Sequence, residues 1–269
     1  MLVSFLLIVV PSKGFAIIGG TEVNSSEPIA KAAVEILGWI RWAGQGDFEQ
    51  DFRFRCSGTL IGPDVVLTAA HCLNENDGSP IKMEKLTVSF ALQEPDVLSG
   101  DHVRKVIAMQ SHPHWNPLGA PLNLHQNDIA LLRLASPAPK EYVPSQIART
   151  NPDLGAGVEV SLAGYGVSSA SDLSLRTAGR LRETESKFLD YEASGSEIRL
   201  DARDGHASCE ADSGSPAYFV TKETVTVFGV DSRGDAQCGN YQIYTGVAAV
   251  VDFIDSTMKN WLASEIVAP

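Results

Sequence analysis

The sequence predicts an all-β fold closed by one C-terminal helix. Glycine and proline are frequent, at 23 and 14 of 269 residues, and segments with a helical hydrophobic period are few. Short apolar stretches alternate with turn residues along most of the chain, as they do in antiparallel sheets. Apolar residues return at helical spacing only near the end, where they predict a helix over about residues 248–263. These residues are Val247, Val251, Ile254, Met258 and Trp261.

The predicted strands fall into two halves of the chain. A proline-rich segment at residues 136–139, SPAP, predicts the crossover between the halves. In the first half the predicted strands cover residues 33–37, 52–61, 65–68, 86–90, 102–107 and 129–134. In the second half they cover residues 158–166, 180–187, 197–202, 217–220, 224–230 and 241–247. A chain of this length can build one large domain or two small ones.

The charge balance excludes two classes of partner. The formal net charge is −12 at pH 7, whereas nucleic acids and anionic membranes bind basic surfaces. We therefore expect neither as a partner. His112, His114 and His125 lie in one part of the sequence but lack a regular ligand spacing, so we predict no metal site there and no cofactor.

Cysteine usage and the first residues both indicate an extracytoplasmic protein, either secreted or periplasmic. The chain has four cysteines, which allow three disulfide pairings, and no C-x-x-C motif of the kind that binds metals. Disulfides form in oxidising compartments. Residues 1–10 are an apolar run followed by small residues at 14–16, as in a signal peptide that is removed after residue 16. The alternative for this run is a core strand.

Three segments contain residue types that together perform nucleophilic catalysis. They are residues 68–72, TAAHC, residues 127–132, NDIALL, and residues 209–216, CEADSGSP. A serine hydroxyl is a poor nucleophile at neutral pH, so a catalytic serine needs a base beside it and donors for the oxyanion that it forms. In this order the three segments resemble the trypsin/chymotrypsin family of serine endopeptidases. The resemblance covers nearly all of the chain after residue 16.

This resemblance implies a fold and a division of the chain. The expected fold is two antiparallel Greek-key β-barrels packed face to face, with the active site in the cleft between them. Residues 17–136 would form the first barrel and supply His71 and Asp128. Residues 137–269 would form the second barrel and supply Ser213.

The resemblance also implies a role for each site residue. Ser213 would attack a peptide carbonyl and form an acyl-enzyme, His71 would act as the general base, and Asp128 would orient the imidazole. The amides of Ala211 and Ser213 would form the oxyanion hole. Signal peptidase would expose Ile17, whose new amino group would pair with Asp212. The implied disulfides are Cys56–Cys72 and Cys209–Cys238, and the implied substrate-binding residues are Ala207, Ser208, Ser232, Arg233, Gly234 and Gln242.

Several of these positions depart from the pattern of the family. Ala211 stands where glycine is usual, so we expect either backbone strain or a flipped peptide there. Ala207 stands at the base of the primary pocket, where trypsin-like members have aspartate. Gln242 would make that pocket shallower, which favours small or medium uncharged side chains. Asp231 is an alternative source of a preference for basic residues.

The sequence therefore predicts a monomeric serine endopeptidase that acts on proteins or peptides and is a target for protein inhibitors. The alternative is a catalytically weak or silent homologue that acts as a binding module. A complete set of His71, Asp128 and Ser213 argues against that alternative, and Ala211 and Gln242 favour it. An α/β-hydrolase esterase is excluded by the order of the motifs and by the lack of G-x-S-x-G.

Overall fold

The computed structural model describes residues 17–43, 49–75, 78–94, 99–116 and 126–267. The expected signal peptide and His125 lie outside these residues. The described part contains fourteen strands and one α-helix. The strands are β1 Thr21–Glu22, β2 Ala33–Ala43, β3 Glu49–Gly62, β4 Val65–Thr68, β5 Leu86–Ser89, β6 Val103–Ser111, β7 Ala130–Leu134, β8 Gln146–Ile147, β9 Glu159–Gly164, β10 Arg182–Tyr191, β11 Glu197–Asp201, β12 Pro216–Val220, β13 Val225–Gly234 and β14 Tyr241–Gly246. The helix is α1 Val251–Val267.

Six strands of the first half form a closed antiparallel barrel in the order β2-β3-β4-β7-β6-β5, because β5 pairs back onto β2. Every residue of β7 is buried, including Arg133. The guanidinium of Arg133 donates to the carbonyl of Trp261 in the helix, at 3.0 Å, and to the carboxylate of Asp64. The returning helix therefore covers one face of β7, while the other faces the interior of the barrel.

The second barrel has the strand order β10-β11-β14-β13-β12-β9 and closes because β9 also pairs with β10. Two short strands extend this sheet. Strand β1 pairs antiparallel with β10, and β8 pairs parallel with β13. The predicted fold class is confirmed: the chain forms two closed six-stranded antiparallel barrels and a C-terminal helix. The boundaries 17–136 and 137–269 remain a prediction.

The C-terminal helix starts three residues later than the sequence pattern predicts and follows a 3-10 turn at Val247–Val250. Its buried Ile254 belongs to the larger hydrophobic cluster, which contains the core residues of the first barrel, and Met258 and Trp261 pack against that cluster. The helix of the second half therefore packs against the first barrel, where Trp261 accepts a hydrogen bond from Arg133. No helix in the described ranges is both long and apolar enough to span a bilayer.

Direct hydrogen bonds join the two barrels at their contact. The amide of Ser57 on β3 donates to the carbonyl of Ser213 at 2.8 Å, and the hydroxyl of Ser57 accepts the amide of Tyr165 at 3.0 Å. The hydroxyl of Thr245 on β14 donates to the carbonyl of Asp128 at 3.1 Å. These bonds fix the serine loop of the second barrel against the histidine side of the first.

Candidate active site

His71 lies in a single 3-10 turn, Ala70–Leu73, which follows directly on β4. The neighbouring Cys72 forms a disulfide with Cys56 on β3, so the turn is covalently attached to an adjacent strand of the barrel. The side chain of His71 is 35% exposed, whereas Asp128 is buried at the start of β7. One end of the imidazole is therefore held by the protein and the other is accessible.

The Asp128 carboxylate accepts three hydrogen bonds. Its Oδ1 accepts the backbone amide of His71 at 2.9 Å, and its Oδ2 lies 2.7 Å from Nδ1 of the same residue. Oδ2 also accepts the hydroxyl of Ser232, again at 2.7 Å. These bonds and the interaction with the imidazole lower the pKa of Asp128, although its burial acts in the opposite direction. An ionised Asp128 holds the proton of His71 on Nδ1 and leaves Nε2 free to act as a base.

Activity is expected to fall as pH falls, with a midpoint above 6.5. Burial disfavours the imidazolium form of His71, but attraction to Asp128 and the hydrogen bond to its carboxylate together outweigh burial and raise the pKa of His71 from its ordinary value of 6.5. Below that pKa, Nε2 carries a proton and cannot accept one from Ser213. The rate of Ser213 acylation by a small ester, measured against pH, tests this. An acid optimum would contradict it.

Ser213 lies in the loop before β12, next to Gly214, whose φ is +79°. A second disulfide, Cys209–Cys238, attaches the start of this loop to the segment between β13 and β14. Within the described chain, no hydrogen bond joins the Ser213 hydroxyl to the imidazole of His71. Catalytic hydrogen bonds of this kind are often long in free enzymes and shorten only when substrate binds.

The amides of Ala211 and Ser213 have no hydrogen-bond acceptor among the described residues, although Asp212, Gly214 and Ser215 all use theirs. Two free amides in one loop suit the binding of an oxyanion. Ala211 has a φ of +70°, so this loop holds an L-residue in the left-handed region. Of the two expectations for this position, the observed φ matches the strained backbone.

Replacing Ala211 by glycine should relieve this strain. We expect Ala211→Gly to raise the free energy of unfolding by about 1 kcal/mol and to speed acylation of Ser213 by a small ester. Urea unfolding and the acylation rate measure the two effects. Ala163→Gly is the matched control, since Ala163 is buried in β9 and is absent from the residues with positive φ. It should lose about 0.5–1 kcal/mol. A loss in both variants would refute the strain argument.

Asp212 is fully buried, and its carboxylate accepts the amides of Gly166 at 2.7 Å and Cys209 at 3.0 Å. Burial raises its pKa to about 7, although these bonds oppose the shift. Ile17 is also fully buried, in the core of the second barrel, and both residues pack against Gly164. Among the described residues no ion pair joins them. The nitrogen of Ile17 is in a peptide bond with residue 16, so Ile17 has no free amino group here. Their pairing through a free amino terminus remains a proposal.

A pocket of about 210 Å³ opens beside Ser213. Of the six predicted substrate-binding residues it is lined by four, Ser208, Ser232, Arg233 and Gly234. Ala207 and Gln242 are buried and do not line it. Ala207 instead forms a two-way backbone bridge with Ile18, and the side chain of Gln242 accepts both the amide and the hydroxyl of Ser208.

Sequence reasoning missed several lining residues and left the role of another open. Glu210, Asp235 and Ala236 line the pocket without having been singled out, as do Cys209 and Cys238, which were assigned only to a disulfide. Asp231, named only as an alternative, lines it too. Asp235 could have been placed in a turn from the sequence, because aspartate is common in turns. In the structure its carboxylate accepts backbone amides two to six residues further along the chain.

One group of potential metal ligands occurs within the described ranges, formed by Cys56, Cys72 and His71. Both cysteines are joined in a disulfide, so neither is available as a thiolate. The rings of His112 and His114 are 5.5 Å apart and in edge contact.

The two closed antiparallel barrels have the chymotrypsin-like fold, with His71, the buried Asp128 and the half-buried Ser213 where the barrels meet. The sequence profile of the Trypsin family matches residues 32–254, and the chain belongs to that family. It is 28% identical to chicken (Gallus gallus) urokinase-type plasminogen activator, over 92% of this chain and 58% of that protein. It is 27% identical to mouse (Mus musculus) granzyme C, over 91% of this chain and 92% of the relative.

Other comparisons agree with this assignment. Human (Homo sapiens) kallikrein-11 is 27% identical over 77% of this chain and 73% of its own length. A solved structure described as "Structure of GrC" superposes with a TM-score of 0.68, at 24% identity, and covers 90% of this chain and 99% of its own. At that identity the superposition supports the fold alone. The chain thus spans a little over half of the urokinase-type relative and nearly all of granzyme C.

Proposed function

We propose that this protein is an active serine endopeptidase that cleaves proteins or peptides through an acyl-enzyme. The observation that carries the proposal is the 2.7 Å contact between Nδ1 of His71 and the buried carboxylate of Asp128, which Ser232 also supports. A silent homologue used only for binding has no chemical need for such an arrangement.

In the proposed reaction, Nε2 of His71 removes the proton of Ser213 as the hydroxyl oxygen attacks the substrate carbonyl carbon. The negative charge that forms on the carbonyl oxygen is bound by the amides of Ala211 and Ser213. The protonated imidazole then gives its proton to the leaving amine, which breaks the peptide bond. A water molecule, deprotonated by the same imidazole, hydrolyses the acyl-enzyme and releases Ser213.

We further propose that the protein is secreted or periplasmic and that it is produced without a separate zymogen step. Two disulfides support the oxidising location. Cleavage after residue 16 would free the amino group of Ile17 close to Asp212, a buried carboxylate whose pKa is raised by burial and which accepts hydrogen bonds from backbone amides. Mass spectrometry of the secreted protein tests this, since any start other than Ile17 rules it out.

Covalent labelling tests the central proposal. A fluorophosphonate reacts with a serine only where a base and an oxyanion hole activate it. We expect the native protein to be labelled at Ser213, as located by peptide mass spectrometry, and Ser213→Ala to remain unlabelled. A folded native protein that is not labelled would identify the chain as a silent homologue.

A further inference from the structure

An exposed turn follows the short strand β1. Val23 before the turn and Ile29 after it are buried, whereas the three residues Asn24, Ser25 and Ser26 are all exposed. The chain therefore leaves the core and returns to it within a few residues. The turn projects into solvent, and both of its ends are held by buried side chains.

The side chain of Asn24 uses its oxygen to form this turn. Oδ1 accepts the backbone amide of Ser26 at 3.1 Å and the hydroxyl of the same residue at 3.0 Å, and the first of these bonds defines an Asx turn. Among the described residues, no group accepts a hydrogen bond from Nδ2 of Asn24. That nitrogen is therefore available to a group attached from outside.

The three residues of the turn, N-S-S, form the acceptor sequence for N-linked glycosylation, which is Asn-X-Ser/Thr with X other than proline. Of all the asparagines in the sequence, only Asn24 has a serine or threonine two residues further along. The Asx turn does not account for this serine, because it needs only the backbone amide of residue 26, which every residue except proline provides.

We propose that Asn24 carries an N-linked oligosaccharide. This rests on the proposed secretion of the protein, through an endoplasmic reticulum rather than into a periplasm, and not on its catalytic activity. In the transfer, Nδ2 forms a bond to the anomeric carbon of an oligosaccharide that is carried by a lipid diphosphate. The bond from that carbon to the diphosphate oxygen breaks, the lipid diphosphate leaves with the electron pair, and the amide gives up one proton.

The fold leaves room for the attached group. Residues 24–26 are exposed, and none of these three described residues lines the pocket beside Ser213. A bulky, hydrophilic group on this turn would extend into solvent without displacing a core side chain. Asn151 is an exposed asparagine of the opposite kind. Its Nδ2 donates to the carbonyl of Gly195 at 3.0 Å, and an aspartate stands two residues further along.

Secretion of the full chain from cultured mammalian cells, followed by treatment with peptide N-glycosidase, tests the proposal. This enzyme releases the oligosaccharide and converts the asparagine that carried it to aspartate, so peptide mass spectrometry locates the site. We expect the native protein to lose mass and the conversion to fall on Asn24. A native protein that is secreted without an oligosaccharide would overturn the proposal.

Four variants separate the modification from the turn. Asn24→Asp keeps an oxygen that can accept the amide of residue 26 but has no amide nitrogen, and Ser26→Ala keeps that backbone amide but loses the hydroxyl. We expect neither variant to carry an oligosaccharide. Ser26→Thr and the matched control Ser25→Ala should be glycosylated like the native chain. An oligosaccharide that persists in Asn24→Asp or in Ser26→Ala would refute the assignment.

Fluorophosphonate labelling of Ser213 distinguishes this proposal from the proposed activity. Asn24 lies outside the catalytic machinery, so Asn24→Asp should be labelled at the native rate. A chain that is glycosylated at Asn24 but not labelled refutes the endopeptidase function and leaves the modification supported. A secreted chain that is labelled but lacks the oligosaccharide refutes the modification alone. A chain that stays in the cells with residues 1–16 attached refutes both secretion and the modification.

Discussion

Replacing Asp128 by asparagine is expected to lower the rate of Ser213 acylation by about 10⁴. The carboxylate accepts the Nδ1 proton of His71, as well as the backbone amide of that residue. An asparagine amide can present its NH₂ group to Nδ1, which favours the tautomer that is protonated on Nε2. That tautomer cannot remove the serine proton. Burst kinetics with an activated ester measure the loss directly.

Ser232→Ala is the comparison for this prediction. The Ser232 hydroxyl donates to the same Asp128 oxygen at 2.7 Å but does not touch the imidazole. We expect its removal to slow acylation by about tenfold, the value of one hydrogen bond to a charged group. Equal losses in Asp128→Asn and Ser232→Ala would mean that tautomer control is not the function of Asp128.

Replacing Gly214 by alanine is expected to destabilise the fold by about 3 kcal/mol or more. A β-carbon at this position would lie 2.5 Å from the carbonyl oxygen of Ser57 and 2.9 Å from the amide nitrogen of Ala69, and would also overlap the hydroxyl of Thr68. These atoms belong to the first barrel, so the serine loop would be pushed away from it. The φ of +79° adds further strain. Urea unfolding and fluorophosphonate labelling would both report the change.

Gly157→Ala separates the two contributions. Gly157 has a φ of +88°, but a β-carbon there meets nothing within 4 Å. Its replacement should therefore cost only the left-handed strain of an L-residue, about 1 kcal/mol, and should leave labelling of Ser213 unchanged. If both variants lose the same free energy of unfolding, the close approach of the two barrels at Gly214 is not the reason why alanine destabilises the protein at this position.

The strands and the helix could be predicted because their signals are local. The apolar run at 129–134 and the alternation after residue 52 depend only on nearby residues, and these segments became β7 and part of β3. The two-residue strands β1 and β8 escaped prediction. The two residues of β1 are exposed and have no apolar pattern, and the partner strand β10 lies some 160 residues further along the chain.

Buried charges could not be predicted, because their partners are distant in sequence. Glu35 lies in a strand predicted to be half-buried. Its side chain is fully buried, and its carboxylate accepts a hydrogen bond from the guanidinium of Arg55 on the next strand. Burial raises its pKa to about 7, while Arg55 acts in the opposite direction. The surroundings of Asp231 likewise come from the serine loop and from Asp128, which only the folded chain brings together.

Backbone hydrogen bonds between the barrels, above all that from the amide of Ser57 to the carbonyl of Ser213, attach the proposed nucleophile of the second barrel to the first barrel. The proposed base follows a strand of the first barrel and the proposed nucleophile precedes a strand of the second, so a small slip of one barrel over the other would separate them while the strands of each barrel stayed paired. Acyl-transfer rates fall about 10²-fold for a displacement of about 1 Å. Turnover would therefore report the alignment of the two barrels earlier and more sharply than any spectroscopic measure of secondary structure.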